Sequence, residues 1–311
     1  LIKAFITGIR GSAGSYLSEY LSKNPEIEVH GTSRQLPIKK PDYTIHQCDL
    51  LDFSSIFQLL VKIKPNYIFH IASNADVRMS FSNPLAMFNN NTQGTLNLLE
   101  AIHVSGIDTI VQMCSTSEVY GQVADNSGPI KETQTLNPQN IYAVSKLAQE
   151  KLSLSYYYMY KIPVVVTRAF CYINPRRKNI FSTAFAIQIA QIESGQKDKL
   201  HHGNLQSIRT MLDAREVVEA YFIATQKCEA GECYNIGSSV PVSVHNVLQR
   251  LLNKSTMGIK TQVDNELLRP NDVTLQIPDT TKFYQQTGWQ PSRDLDDSLD
   301  YLLAYCRKHY V

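Results

Sequence analysis

Tyr142 and Lys146 stand four residues apart in Tyr142-Ala-Val-Ser-Lys146, a spacing that puts a phenol and an ammonium on one face of a helix. A positive charge beside a phenol favours its ionised form, so the pair reads as a proton donor and acceptor usable near neutrality. A Y-x-x-x-K pattern alone recurs by chance. Its weight here comes from the upstream segment Ser115-Thr116-Ser117-Glu118-Val119-Tyr120-Gly121, which a strand over Thr109–Cys114 runs into. Side chains of extended backbone alternate with period two, so a strand continued through this segment turns Thr116 and Glu118 to the same side. A hydroxyl, a carboxylate, a phenol and an ammonium would then face one cavity. Taken alone, Glu118 suits a helix cap or a solvated turn equally well.

A second chemistry lies at the start of the chain, where a first strand runs into Thr7-Gly8-Ile9-Arg10-Gly11-Ser12-Ala13-Gly14. Gly8, Gly11 and Gly14 have the G-x-x-G-x-x-G spacing that lets backbone turn tightly and approach a pyrophosphate. The N–H groups that open the next helix, at Ser12 and Ala13, then face its charge. At the end of the second strand, Gly31-Thr32-Ser33-Arg34 carries no acid of the kind that binds the ribose hydroxyls of NAD. Ser33 can hydrogen-bond and Arg34 can neutralise a 2′-phosphate, so NADP is the expected cofactor and NAD the alternative. Asp49 and Leu50, after the third strand, are placed to flank the adenine, although an acid there is as often a helix cap.

These groups need a framework, and the apolar pattern supplies one. Short β-branched runs at Lys3–Thr7, Glu28–Thr32, Thr44–Gln47, Tyr67–Ile71, Thr109–Cys114 and Pro163–Arg168 read as strands. Between them, Ala13–Leu21, Ser54–Val61, Leu85–Val104 and Ile141–Tyr160 carry apolar residues at helical spacing. The alternation predicts an α/β fold, a doubly wound parallel sheet of the Rossmann type over residues 1–175. Residues 176–311, with a helix near Ser182–Glu193, are expected to form a smaller substrate-binding lobe with segments that return to the sheet, the two parts enclosing a cleft.

Composition narrows the classes. The chain has 311 residues, 43% hydrophobic and 19% charged, enough to bury a sizeable core. A formal net charge of +2 is too mild to point to nucleic acid or a membrane surface. The cysteines Cys48, Cys114, Cys171, Cys228, Cys233 and Cys306 have no metal-ligand spacing and fit reduced thiols, so no metal is expected. No signal-peptide pattern and no run near 18 apolar residues is present, and the expectation is a cytoplasmic protein.

The glycine triplet, the S-T-S-E-V-Y-G segment, Tyr142 with Lys146 and the later Arg269-Pro270-Asn271-Asp272-Val273 together resemble extended short-chain dehydrogenases/reductases. The likeness is greatest to GDP-mannose 4,6-dehydratase and the related GDP-4-keto-6-deoxymannose reductase, and it covers essentially the whole chain. Thr116 with Glu118, Gly14-Ser15-Tyr16-Leu17 and Pro175-Arg176-Arg177 look like the dehydratase; the short connections and short C-terminal lobe look more like the reductase.

The resemblance implies that Thr116 hydrogen-bonds the sugar C4 oxygen and Tyr142 moves its proton. Lys146 would support Tyr142 and a nicotinamide ribose, and Glu118 would remove the C5 proton as water leaves from C6. It carries Arg209 and Arg269 to the diphosphate of a GDP-linked sugar and Asp272 to a ribose hydroxyl, with Arg176, Arg177 and Asn204 alongside. The dehydratase is the leading expectation and the reductase the alternative, with a 4-epimerase or a non-catalytic NADP-binding protein behind them. Relatives pair through helices such as Leu85–Val104 and Ile141–Tyr160, which implies a homodimer or homotetramer.

Three positions depart from the family pattern. Arg168-Ala169-Phe170-Cys171-Tyr172 stands where Arg-x-Phe-Asn-His is usual, Thr210 follows Arg209 in place of an acid, and Asn174-Pro175 replaces a Gly-Pro or Ser-Pro turn. Cys171 puts a weak hydrogen bonder where the family has a strong amide.

Overall fold

The computed structural model describes residues 1–38, 41–75, 79–123, 128–268 and 274–311. Its first strands are β1 (Ile2–Thr7), β2 (Ile27–Ser33), β3 (Thr44–Gln47), β4 (Tyr67–His70), β5 (Ile110–Thr116), β6 (Val164–Ala169) and β7 (Tyr172–Ile173). They are followed by β8 (Lys199–His202), β9 (Ile208–Thr210), β10 (Leu212–Asp213), β11 (Cys233–Ile236), β12 (Pro241–Ser243), β13 (Lys260–Val263) and β14 (Leu275–Gln276). The helices are α1 (Ser12–Leu21), α2 (Phe53–Ile63), α3 (Met79–Ser82), α4 (Pro84–Ser105) and α5 (Ile141–Tyr160). Beyond them lie α6 (Phe181–Glu193), α7 (Ala214–Lys227), α8 (Val244–Asn253), α9 (Thr281–Thr287) and α10 (Leu295–His309).

Seven strands form one parallel sheet in the order β3-β2-β1-β4-β5-β6-β11. β1 pairs with β2 on one side and β4 on the other, so the winding reverses between β1 and β4 and a crevice opens beyond their carboxyl ends. The strands are apolar on both faces because helices cover both. On β1, Ala4 and Ile6 pack with Leu17 of α1 and Val217 of α7, while Phe5 packs with Ile56 of α2 and Leu98 of α4. Val165 and its neighbours Val164 and Val166 divide between the two faces in the same way on β6. Burying each of the larger side chains among them, valine, leucine, isoleucine or phenylalanine, contributes about 1.5–3 kcal/mol.

A third core joins Phe185 and Ile189 of α6, Val247 and Leu251 of α8, and Leu299 and Leu302 of α10. Chain beyond residue 175 also enters the main sheet: α7 lies against α1, and β11 pairs in parallel with β6. The sequence reading names six of the seven sheet strands with ends within about two residues. It does not name β11, where Asn235 interrupts the apolar run Cys-Tyr-Asn-Ile. That amide is fully buried because it accepts from the Tyr120 hydroxyl at 2.7 Å and donates to the Ile130 carbonyl at 2.8 Å.

β5 also runs on through Thr116, and a 3₁₀ turn over Ser117–Tyr120 follows, so the backbone does not stay extended as far as Glu118. The cause is local: the Thr116 hydroxyl accepts from the Glu118 N–H at 3.3 Å and caps the turn. No helix among the described residues is long and apolar enough to cross a membrane, and all six cysteines are free thiols.

Candidate active site

One cavity of about 1040 Å³ opens at the switch point, beyond the ends of β1, β2, β4 and β5. Gly8, Gly11, Ser12 and Ala13 line one end of it. Gly8 adopts φ +71°, and a Cβ there would come within 2.9 Å of the Ala72 Cα. Gly11 starts α1 with no side-chain cap, leaving that task to whatever meets the helix N-terminus. Gly14, expected at the cofactor, does not line the cavity; a Cβ there would lie 2.3 Å from the Gly8 carbonyl oxygen, so it allows helix and loop to close on each other.

Ser33, Arg34, Asp49 and Leu50 continue the lining, and Asp52 rather than Asp49 caps α2, accepting from the Ser55 N–H at 3.2 Å. Arg10 lies among them, with its guanidinium donating to the Gln35 carbonyl at 2.8 Å. Sequence reasoning passed over Arg10 because it stands inside the glycine motif, whose intervening positions carry no rule of their own.

At the other end Thr116, Glu118, Tyr142 and Lys146 share the wall. They come together in spite of the 3₁₀ turn, because Asn140 reaches both parts. Its Oδ1 accepts from the Ala143 N–H at 2.8 Å to start α5, and its Nδ2 donates to Glu118 Oε2 at 3.2 Å. Burial pushes the Tyr142 phenol well above its ordinary value, and the charge that pulls it back is the Arg177 guanidinium. Burial also pushes the Lys146 ammonium down. Burial thus opposes the charged form of both groups, the phenolate and the ammonium.

Beneath this wall lies a polar layer whose residues carry no recognisable motif. His70 meets the Thr7 hydroxyl through Nδ1 and the Thr95 hydroxyl through Nε2, each at 2.8 Å, and burial pushes its pKa down to about 3. Asn91 donates to the Ser145 hydroxyl at 2.9 Å and accepts from the Asn74 N–H at 2.7 Å, tying α4 to α5 and to the loop after β4. Behind Lys146, Glu150 accepts from the Ser115 hydroxyl and pairs with Arg168 at 2.9 Å.

The cluster expected to bind substrate divides. Arg177, Asn204 and Arg209 line the cavity, with Cys171 and Tyr172 between. Arg176 does not line it. Its guanidinium lies 4.0 Å over the Tyr16 ring, donates to the Ser15 hydroxyl at 2.9 Å and pairs with Glu19 at 2.8 Å, so it clasps α1. The Asn174-Pro175 turn sends the two neighbours apart: Asn174 Oδ1 accepts from the Arg176 N–H at 3.0 Å and its carbonyl from the Arg177 N–H at 2.9 Å. Thr210 is fully buried behind the wall, and Arg269 and Asp272 fall outside the described residues.

Comparison with known proteins agrees with this architecture. A family model described as GDP-mannose 4,6 dehydratase matches residues 5–301. The GDP-6-deoxy-D-mannose reductase of Pseudomonas aeruginosa is 31% identical over 304 residues, covering 97% of this chain and 96% of the relative. The GDP-mannose 4,6-dehydratase of Yersinia enterocolitica is 29% identical over 348 residues, covering 97% and 93%. A solved structure of RMD from Pseudomonas aeruginosa complexed with NADPH superposes with a TM-score of 0.89 at 28% identity, covering 99% of each chain. The chain is therefore a member of the GDP-mannose 4,6-dehydratase family.

Proposed function

We propose that the protein is an NADP-dependent GDP-mannose 4,6-dehydratase. The observation that carries this reading is the Glu118 carboxylate, tied to Asn140, on the same cavity wall as Thr116, Tyr142 and Lys146. The glycine end fits a dinucleotide: no side chain could stand at Gly8 without meeting Ala72, and the uncapped start of α1 suits a diphosphate. Ser33, with Arg10 and Arg34 beside it, supports NADP over NAD, as does the NADPH complex of the Pseudomonas protein.

NADP held at the glycine end would supply the acceptor for the C4 hydride and give that hydride back at C6, with a solvent-derived proton returning to C5. The residues of this chain move the protons. Thr116 hydrogen-bonds the C4 oxygen, Tyr142 takes its proton, and Lys146 holds the nicotinamide ribose. Oxidation at C4 acidifies the C5 hydrogen, which Glu118 removes before passing a proton to the hydroxyl that leaves C6. Arg177, Asn204, Arg209, Arg269 and Asp272 are assigned to the GDP-linked part of the substrate. We read the protein as cytoplasmic and as a homodimer or homotetramer joined through α4 and α5, on which Leu85 and Val144 are exposed.

One observation favours the reductase as a second reading. The Yersinia dehydratase needs 348 aligned positions to cover the same 97% of this chain that the Pseudomonas reductase covers in 304, so the dehydratase carries segments this chain lacks. Incubation with GDP-mannose in deuterated water, with catalytic NADP and mass analysis of the product, tests the first reading. A dehydrated sugar carrying deuterium, with no net change in NADPH, is expected. Inert GDP-mannose, together with stoichiometric NADPH consumption on the 4-keto sugar, would establish the reductase instead.

A further inference from the structure

Ser117 stands between Thr116 and Glu118, and both its side chain and its carbonyl meet one glutamine from far along the chain. Gln276, on β14, accepts from the Ser117 hydroxyl through Oε1 at 3.0 Å and donates from Nε2 to the Ser117 carbonyl at 3.3 Å. The two residues are 3% and 4% exposed, so the pairing is made away from solvent and its loss would leave buried polar groups unmatched. An amide head presents a donor and an acceptor side by side, which matches the carbonyl and the hydroxyl of a single residue. Gln276 also lines the cavity.

The carbonyl of Ser117 and the N–H of Glu118 belong to one peptide unit. Gln276 holds the carbonyl, and the Thr116 hydroxyl holds the N–H at 3.3 Å. The plane between Thr116 and Glu118 is thus fixed at both ends. A hydroxyl that accepts from the backbone still has its own proton to give, and Thr116 can offer it to a sugar oxygen.

β14 is itself fastened on both sides. It runs parallel to β9 with Gln276 in register with Arg209, and the Ile208 N–H donates to the Thr274 carbonyl at 2.8 Å. Towards the turn, Gln122 Nε2 donates to the Thr274 hydroxyl at 2.7 Å, and the Thr274 N–H donates to Gln122 Oε1 at 3.3 Å. Just beyond, the Ile277 carbonyl accepts from the Ile130 N–H at 2.8 Å. The strand therefore lies between the turn of Thr116 and Glu118 and the strand of Arg209.

We propose that Gln276 is a positioning residue for the reaction, which sets the Ser117–Glu118 peptide, and with it Thr116 and Glu118, against the strand pair that carries Arg209. The inference rests on the reading that Thr116 meets the reacting sugar and Arg209 the nucleotide. Binding energy gathered at the nucleotide is in this way available to orient the groups at the sugar.

The experiment compares steady-state kinetics of the NADP-loaded parent, Gln276→Leu, Ser117→Ala and the double variant, on GDP-mannose or on the 4-keto sugar, whichever the parent consumes. In Gln276→Leu, kcat should fall about ten- to hundredfold, the scale of a misplacement near one ångström. KM and the affinity for GDP, measured by isothermal titration, should stay within about twofold of the parent. Ser117→Ala keeps the carbonyl bond and should lose less. The double variant should be no slower than Gln276→Leu, because the two side chains act through one contact. Gln276→Met replaces Gln276→Leu should that variant fail to fold. A raised KM with kcat unchanged would make Gln276 a substrate contact and overturn the inference. A fall in kcat matched by a fall in the number of GDP sites, or an additive double variant, would overturn it as well. Full turnover in Thr116→Val would instead overturn the reading beneath it, and the inference with it.

Discussion

Asn140 and Glu118 are joined by a hydrogen bond of 3.2 Å from an amide whose other end caps α5. One side chain thus sets where the helix of Tyr142 and Lys146 begins and where the carboxylate opposite it stands. The two tasks can be separated. Serine is a good N-cap but too short to reach Glu118, so Asn140→Ser should keep the helix start within about 0.5 kcal/mol of the parent. Turnover should fall about tenfold, the scale of one lost hydrogen bond to a charged group. Thermal unfolding and steady-state rates measured on the same preparation check both halves.

Glu150 and Arg168 form a second relationship that fixes the site from behind. Their side chains are 0% and 4% exposed, and the pair holds α5 against β6 one turn beyond Lys146. Arg168 also donates to the Tyr120 hydroxyl at 2.9 Å. Removing one partner strands the other charge without water, so Glu150→Ala should destabilise the fold by about 3–5 kcal/mol. A urea midpoint unchanged from the parent would show that Arg168 finds another partner.

What the sequence disclosed, and what it withheld, follows from how each feature is encoded. The parallel strands are apolar on both faces, so runs such as Val164-Val165-Val166 stand out without any knowledge of their neighbours. The glycine motif and Y-x-x-x-K are equally local. Arg176 and Arg177 show the limit: they are adjacent and of one type, and only the hydrogen bonds of Asn174 decide that one meets Glu19 and the other the cavity. β11 was hidden for a related reason: a polar residue inside an apolar run reads as a break until its partners, Tyr120 and Ile130 for Asn235, are brought to it by the fold. His70 lies within a strand the sequence does name, but its partners Thr7 and Thr95 are distant in the chain and only the fold brings them to it.

Cofactor preference provides a third prediction. Arg10 and Arg34 both line the cavity beside Ser33, and Arg10 is held by the Gln35 carbonyl at 2.8 Å. Each Arg→Ala change should weaken NADP relative to NAD by about 1–3 kcal/mol, the loss of a charge-assisted contact to phosphate. Fluorescence titration with both dinucleotides measures the ratio. Equal losses for NAD and NADP would move these arginines from the 2′-phosphate to the shared diphosphate.

Stability should also depend on pH through His70. Its folded pKa, depressed by burial to about 3, lies below the value of about 6.5 expected when unfolded. The unfolded chain therefore takes up the proton first. The contribution of neutral His70 is fully present above about pH 6.5 and declines by about 1.4 kcal/mol per unit as pH falls below it. His46, lowered by burial and by His30, adds in the same direction. Denaturant unfolding at pH 7.5, 6 and 5 should show this slope, and His70→Gln should reduce it by about one proton. A slope that persists unchanged in that variant would place the acid sensitivity elsewhere.

The last prediction separates the two roles assigned to the reaction centre. Tyr142→Phe removes the phenol without changing the ring, so cofactor affinity should stay near the parent while turnover drops by roughly 10²–10⁴-fold. Glu118→Gln keeps size and can still meet Asn140, but it cannot accept the C5 proton. In a dehydratase, C4 oxidation should then proceed to a 4-keto sugar with C6 still hydroxylated and with no deuterium at C5 from deuterated water. NADPH should accumulate once per site, because hydride return to C6 waits on the loss of water. A reductase needs no base at C5, and the same variant should consume NADPH on a 4-keto sugar at nearly the parental rate. Comparing the two variants on the two substrates ties each outcome to one residue. A Glu118→Gln enzyme that still dehydrates GDP-mannose would remove Glu118 from the elimination step and leave Tyr142 to serve at both C4 and C5.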